Sequence, residues 1–114
     1  MLFRSVGDVK DRVCVIVDDM IDTAGTIAQA ADVCFKAGAR EVLVAATHAI
    51  LSGPAVDRLK NGRIAEVVVT NTLPVSDEKL FDKLTVLSIA PLVARGIREV
   101  FDDGSVTSLF GGDS

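Results

Sequence analysis

The sequence predicts an α/β protein built on a mostly parallel sheet flanked by helices. Three observations carry that reading. The run Val13-Cys14-Val15-Ile16-Val17 is unbroken, apolar and rich in β-branched residues, as a strand covered on both faces of a parallel sheet requires. The pattern then switches to helical spacing, with Ile27, Ala30, Ala31 and Cys34 on one stripe and Asp32 and Lys36 off it. Strand and helix patterns go on alternating to Phe101.

Taken in order, the first strand runs to Val17, and the helix after it begins at Thr26 and stops at Gly38. Val42 to Ala46 is the second strand. Pro54 to Lys60 forms a short helix closed by Asn61-Gly62, and Ile64 to Thr70 is the third strand. After a loop around Pro74, Thr85 to Ile89 is the fourth strand and Pro91 to Phe101 the last helix, with Pro91 suited to a first helical position. Asp77, Glu78 and Lys79 read as a solvated helix start. Right-handed crossovers put the C-terminal ends of all parallel strands on one edge, and ligands bind at that edge in such sheets.

The totals narrow the function. The chain has 114 residues, 49% of them hydrophobic, which is one domain with a modest core. Its net charge is −4 and its cations are scattered singly (Lys10, Arg12, Lys36, Arg40, Arg58, Lys60), so no basic stripe is available to nucleic acid. Cys14 and Cys34 lack metal-site spacing and read as free thiols of a cytosolic protein. No apolar run approaches a membrane span, and no membrane partner is expected.

The chemistry concentrates in Val13 to Ile27, where Asp18, Asp19 and Asp22 flank a small-residue turn. With the first strand ending near Val17, Asp18 and Asp19 leave it at the ligand edge. Asp22-Thr23-Ala24-Gly25-Thr26 turns into the helix, whose N-terminus offers free N–H groups and the positive end of its dipole to an anion. The turn lacks the glycine and lysine pattern of a Walker loop. Carboxylates repel phosphate, so the remainder of the ligand must bring donors or cations, such as sugar hydroxyls or Mg²⁺. A ribose bearing a 5′-phosphate meets that description. The plainer alternative is Asp22 as a helix cap with Asp18 and Asp19 as solvated charges.

The stretch Val15 to Thr26 resembles the phosphoribosyl-binding loop shared by type I phosphoribosyltransferases and the ribose-phosphate pyrophosphokinases. Thr47 to Ala55, Val67 to Thr72 and Leu87 to Leu92 resemble the pyrophosphokinase family in order and spacing, over roughly Val6 to Phe110. The resemblance implies a type I phosphoribosyltransferase-like fold. It further implies ribose 5-phosphate as substrate, with Asp18 and Asp19 at the ribose hydroxyls and Asp22, Thr23, Ala24, Gly25 and Thr26 around the phosphate. The family moves a pyrophosphoryl group from ATP, with Mg²⁺, to the sugar's 1-hydroxyl. Its ATP-binding residues, metal-binding residues and Lys/Arg catalytic loop precede the segment matched here. Residues 6–114 are accordingly expected to be the C-terminal domain, inactive alone, with no catalytic residue of its own and the N-terminal half as a missing partner.

Residues 1–5 do not resemble the family and are expected to be a non-native or disordered leader. Ser105, Val106 and Phe110 match a segment that the resemblance links to an allosteric phosphate or ADP site, and the intact enzyme is expected to be a homo-oligomer. A non-catalytic regulatory paralogue and a type I phosphoribosyltransferase domain are the alternatives. His48, which follows the second strand, reads as a hydrogen-bonded structural residue, and Ser52-Gly53-Pro54 as a turn and the start of a short helix, which the resemblance puts near the active-site edge. A phosphoacceptor receiver domain would need an acceptor Asp where Thr70-Asn71-Thr72 stands and a Lys where Ala90-Pro91-Leu92 stands.

Overall fold

A four-stranded, all-parallel sheet in the order β1-β2-β3-β4 forms the centre of the molecule. The structure is a computed structural model and describes residues 8–102. The expected leader and the segment containing Ser105, Val106 and Phe110 lie outside the described residues. The elements are β1 (Val13–Ile21), α1 (Gly25–Lys36), β2 (Glu41–Ala49), α2 (Ala55–Asn61), β3 (Glu66–Thr70), β4 (Leu84–Leu87) and α3 (Ala90–Phe101).

The expected alternation of strand and helix is present. The buried stripe of α1 is Ile27, Ala30, Ala31 and Cys34, the spacing read from the sequence. Ile27, Ala31 and Cys34 of this stripe share one core with Val42, Val44, Val67 and Val69 of the sheet, and Leu51, Ala55 and Leu59 complete it. Gly38, at φ 96°, lets the chain turn out of α1 where a side chain would be strained.

Four expectations need correction. First, β1 and β2 run further than their apolar runs. Asp18 pairs with Ala46, Met20 with His48 and Ile21 with Ala49, so Asp18, Asp19 and His48 lie within strands rather than after them. Backbone pairing continues wherever two neighbouring strands remain side by side, whatever the side chains.

Second, β1 is not covered on both faces. Cys14, Ile16 and Asp18 are half-buried toward the helices, whereas Val15 is 55% and Val17 76% exposed on the other side. The strand order gives the reason. Successive right-handed crossovers made in one direction leave their helices on the same face, and α1 and α2 do touch one another.

Third, α3 buries none of its residues. Its apolar face of Val93, Ile97, Val100 and Phe101 is exposed. Fourth, Asp77–Lys79 forms a single 3-10 turn, and Lys79 is not merely solvated: its Nζ donates to the Ile50 carbonyl at 3.0 Å. Among the described residues, no helix is long and apolar enough to cross a membrane.

Candidate functional site

At the C-terminal edge of the sheet, Asp18, Asp22, Thr23, Ala24, Gly25 and Thr26 line one cleft of about 190 Å³, together with Met20, Ile21 and Ile27. That volume is below the roughly 300–1,000 Å³ of pockets for drug-sized ligands, and suits a phosphate with a small sugar better than a whole nucleotide. Asp19 is the expected residue that does not line it. Successive strand residues face opposite sides, so the Asp18 and Asp19 carboxylates do not converge, although the Asp19 N–H donates to Asp18 Oδ1 at 2.8 Å.

The floor of the cleft is the start of α1. Its N-cap is Ala24, at φ 65° and ψ 12°, and no side chain caps the helix there. Asp22, the helix cap of the plainer alternative, instead accepts a hydrogen bond from Ser52 Oγ. The N–H groups of the first turn are therefore left to the cleft. A left-handed residue followed by helical ones makes successive N–H groups converge in a concavity that suits an anion. Alanine adopts that conformation at a cost of about 1–2 kcal/mol. Leu51, buried in the adjacent loop, is also left-handed, at φ 53°. Strain held in two touching loops points to a local geometry that matters for function.

Those two loops are joined by a dense set of bonds. The N–H groups of Ile50 and Leu51 both donate to the Ile21 carbonyl at 3.0 Å, and Ser52 N–H donates to the Asp22 carbonyl at 2.9 Å. Arg58 Nη1 donates to the Thr23 carbonyl at 3.0 Å. Ser52, expected as part of a turn near the active-site edge, and Arg58, expected only as a scattered cation, thus brace the cleft. Each acts across a long stretch of chain, and an isolated Ser or Arg carries no pattern that could have signalled it.

His48 stands along the same edge. Its Nδ1 is 2.8 Å from Thr72 Oγ1, Thr72 Oγ1 lies 3.3 Å from the Thr47 carbonyl, and Thr70 Oγ1 donates to that carbonyl at 2.7 Å. Asn71 Oδ1 accepts from Ile89 N–H at 2.8 Å, which ties β3 to the start of α3. His48 is thus hydrogen-bonded into the strand tips, as expected of a structural histidine. Among the described residues no group of three or more His, Cys, Asp or Glu side chains is placed to hold a metal ion. With Asp18 and Asp19 facing apart, these residues do not fit Mg²⁺ as a chelate of their own.

A parallel α/β sheet with an uncapped helix start, a left-handed turn and a carboxylate at its C-terminal edge sets N–H groups able to hold an anion beside an acceptor for hydroxyl groups. A family model described as the phosphoribosyl synthetase-associated domain matches residues 3–111, and the chain belongs to that family. That associated domain, not the C-terminal half expected from the sequence, is the assignment the match gives. The ribose-phosphate pyrophosphokinase of Streptomyces coelicolor is 67% identical over 105 residues, covering 92% of this chain and 32% of that protein. The enzyme of the same name from Mycobacterium tuberculosis is 58% identical over 111 residues, covering 97% and 34%. The crystal structure of phosphoribosylpyrophosphate synthetase from Mycobacterium smegmatis superposes with a TM-score of 0.81 at 56% identity, over 87% of this chain and 33% of that one. The chain spans about a third of the length of the curated relatives it matches.

Proposed function

We propose that this chain is the ribose 5-phosphate-binding portion of a ribose-phosphate pyrophosphokinase, the enzyme class that makes phosphoribosyl pyrophosphate for nucleotide biosynthesis. The observation that supports this reading best is the gathering of Asp18 and Asp22 to Thr26 around one cleft with an uncapped helix start as its floor. The sugar phosphate would sit with its phosphate on the N–H groups of Ala24, Gly25 and Thr26, with the Thr23 and Thr26 hydroxyls as further donors. Asp18, at the rim, would accept from ribose hydroxyls. Asp19 is assigned no contact, since it faces the other side of the strand.

Pyrophosphoryl transfer depends on positioning and on neutralising charge. The residues lining the cleft include no lysine, arginine or histidine. The chain's role is therefore to orient the acceptor, and alone it is proposed to be inactive. ATP, its Mg²⁺ and the cationic groups that act on the transferred phosphates are assigned to other parts of the enzyme, a cytosolic homo-oligomer on this reading.

Calorimetric titration with ribose 5-phosphate, with and without Mg²⁺, tests the assignment. Saturable binding by the wild type, lost in both Asp22→Ala and Gly25→Val, is the expected result. A chain with native circular dichroism that shows no saturable binding would overturn it.

A further inference from the structure

Three consecutive carbonyls at the base of the cleft are held by one segment, residues 50–58. Those of Ile21 and Asp22 accept from backbone N–H groups of the loop after β2, whereas that of Thr23 accepts from a side chain, Arg58 Nη1, at 3.0 Å. A trans peptide group is planar, so its C=O and N–H point in opposite directions and fixing one fixes the other. The N–H opposite the Thr23 carbonyl belongs to Ala24, whose left-handed conformation shapes the concavity. Arg58 itself is set by its neighbour Leu59, which is fully buried in the core and anchors α2.

Among the described residues the ion pair is Arg98 with Asp102, and no carboxylate pairs with Arg58. Its Nη1 also lies 3.2 Å from where a Cβ on Gly25 would stand, so the charge sits directly beside the first residue of α1. An exposed hydrogen bond of this kind adds little to stability, while a cation on the carbonyl polarises the peptide and makes its N–H a better donor to an anion.

We propose that Arg58 is a positioning residue for the phosphate: by holding the Thr23 carbonyl it aims the Ala24 N–H into the cleft and lends the cradle the positive charge that its lining lacks. This rests on the sugar-phosphate reading above for the identity of the ligand, but not for the bracing of the loop. It also gives Gly25 a reason, since a side chain there meets the guanidinium.

The test uses the full chain with Arg58→Met, which removes charge and donors at similar length, and Arg58→Lys, which keeps the charge. Affinities for ribose 5-phosphate and for inorganic phosphate are measured alongside thermal midpoints and ¹⁵N order parameters of residues 23–25. Arg58→Met is expected to weaken both ligands by a similar factor, roughly tenfold, the effect of one charge-assisted hydrogen bond. Order parameters of the turn should fall from about 0.85 toward 0.6. Arg58→Lys should recover most of the affinity, which a purely structural role for Arg58 would not produce.

Unchanged affinity and unchanged order parameters in Arg58→Met would overturn the proposal. Should the wild type bind neither ligand, the sugar-phosphate reading fails by itself. The order parameters then decide the bracing role: a fall in Arg58→Met sustains it and no change refutes it.

Discussion

The strand order implies that one face of the sheet carries the helices while the other is bare at β1, and two valines on neighbouring strands read this out. Val44, on β2, is 1% exposed beneath α1, and Val17, on β1, is 76% exposed on the opposite face. Val→Ala removes the equivalent of two methylene groups, worth about 1.6 kcal/mol when fully buried at about 0.8 kcal/mol each. Partial collapse of the cavity beside Val44 raises its cost to about 2–3 kcal/mol. With three-quarters of Val17 already in water, the same change there costs only about 0.4 kcal/mol. Any loss of intrinsic strand preference is shared by both sites and cancels in the comparison. The difference of about 2 kcal/mol is read from urea unfolding as a shift in midpoint at constant slope. Equal losses at the two sites would refute the one-sided packing, and a Val17→Ala loss that grows with protein concentration would show that copies of the chain cover that face.

Two further outcomes follow from the cleft and the core. Gly25→Ala puts a Cβ 3.2 Å from Arg58 Nη1, a few tenths of an ångström too close, so the guanidinium must shift by that much and its bond to the Thr23 carbonyl is weakened. Helix propensity gains about 0.5–1 kcal/mol from the same change, so calorimetry should show ribose 5-phosphate affinity reduced severalfold while the thermal midpoint moves by only a few degrees. The Cys34 thiol is pushed above its ordinary value of 9.0 by burial first, and then by the Cys14 side chain beside it. The folded state therefore keeps its proton at a pH where the unfolded state has lost it, so this group's contribution is complete below pH 9 and falls as pH rises beyond it. Urea midpoints at pH 8 and pH 10 should show a decline that is smaller in Cys34→Ala, and an equal decline in both proteins would refute the assignment.

Much of this architecture is legible because it is local. The α1 stripe and the apolar strand cores are periodic within a few residues, and the cradle from Asp22 to Thr26 is contiguous, so spacing alone brings it together. Strand ends are less legible, since Asp18 to Ile21 stays in the sheet through pairing with β2 and not through its own side chains. That extension separates Asp18 from Asp19, two residues that look equivalent in the sequence. The brace is the part that spacing cannot reveal, because Ser52 and Arg58 reach Asp22 and Thr23 from 30 and 35 positions away. The bare face is not legible in the apolar run of β1. A run of apolar residues states that a strand is able to be covered on both faces, and only the order of strands states whether it is.

A cradle with no cation in its lining has a consequence for how the proposed substrate is held. A lysine on a flexible stem neutralises phosphate but fixes its orientation loosely, whereas N–H groups of a braced backbone have directions set by the loop itself. On the proposed reading the phosphate is the fixed end of the sugar, Asp18 sets the rotation of the ring about it, and the 1-hydroxyl projects out of the cleft toward the groups that act on ATP. Affinity and orientation are then separable. Arg58→Met should weaken binding through the phosphate whichever sugar is attached, while Asp18→Asn, which keeps the shape but adds donors where only acceptors stood, should leave inorganic phosphate binding intact and weaken ribose 5-phosphate alone. Parallel loss of both ligands in Asp18→Asn would place that carboxylate at the phosphate and overturn this division of roles.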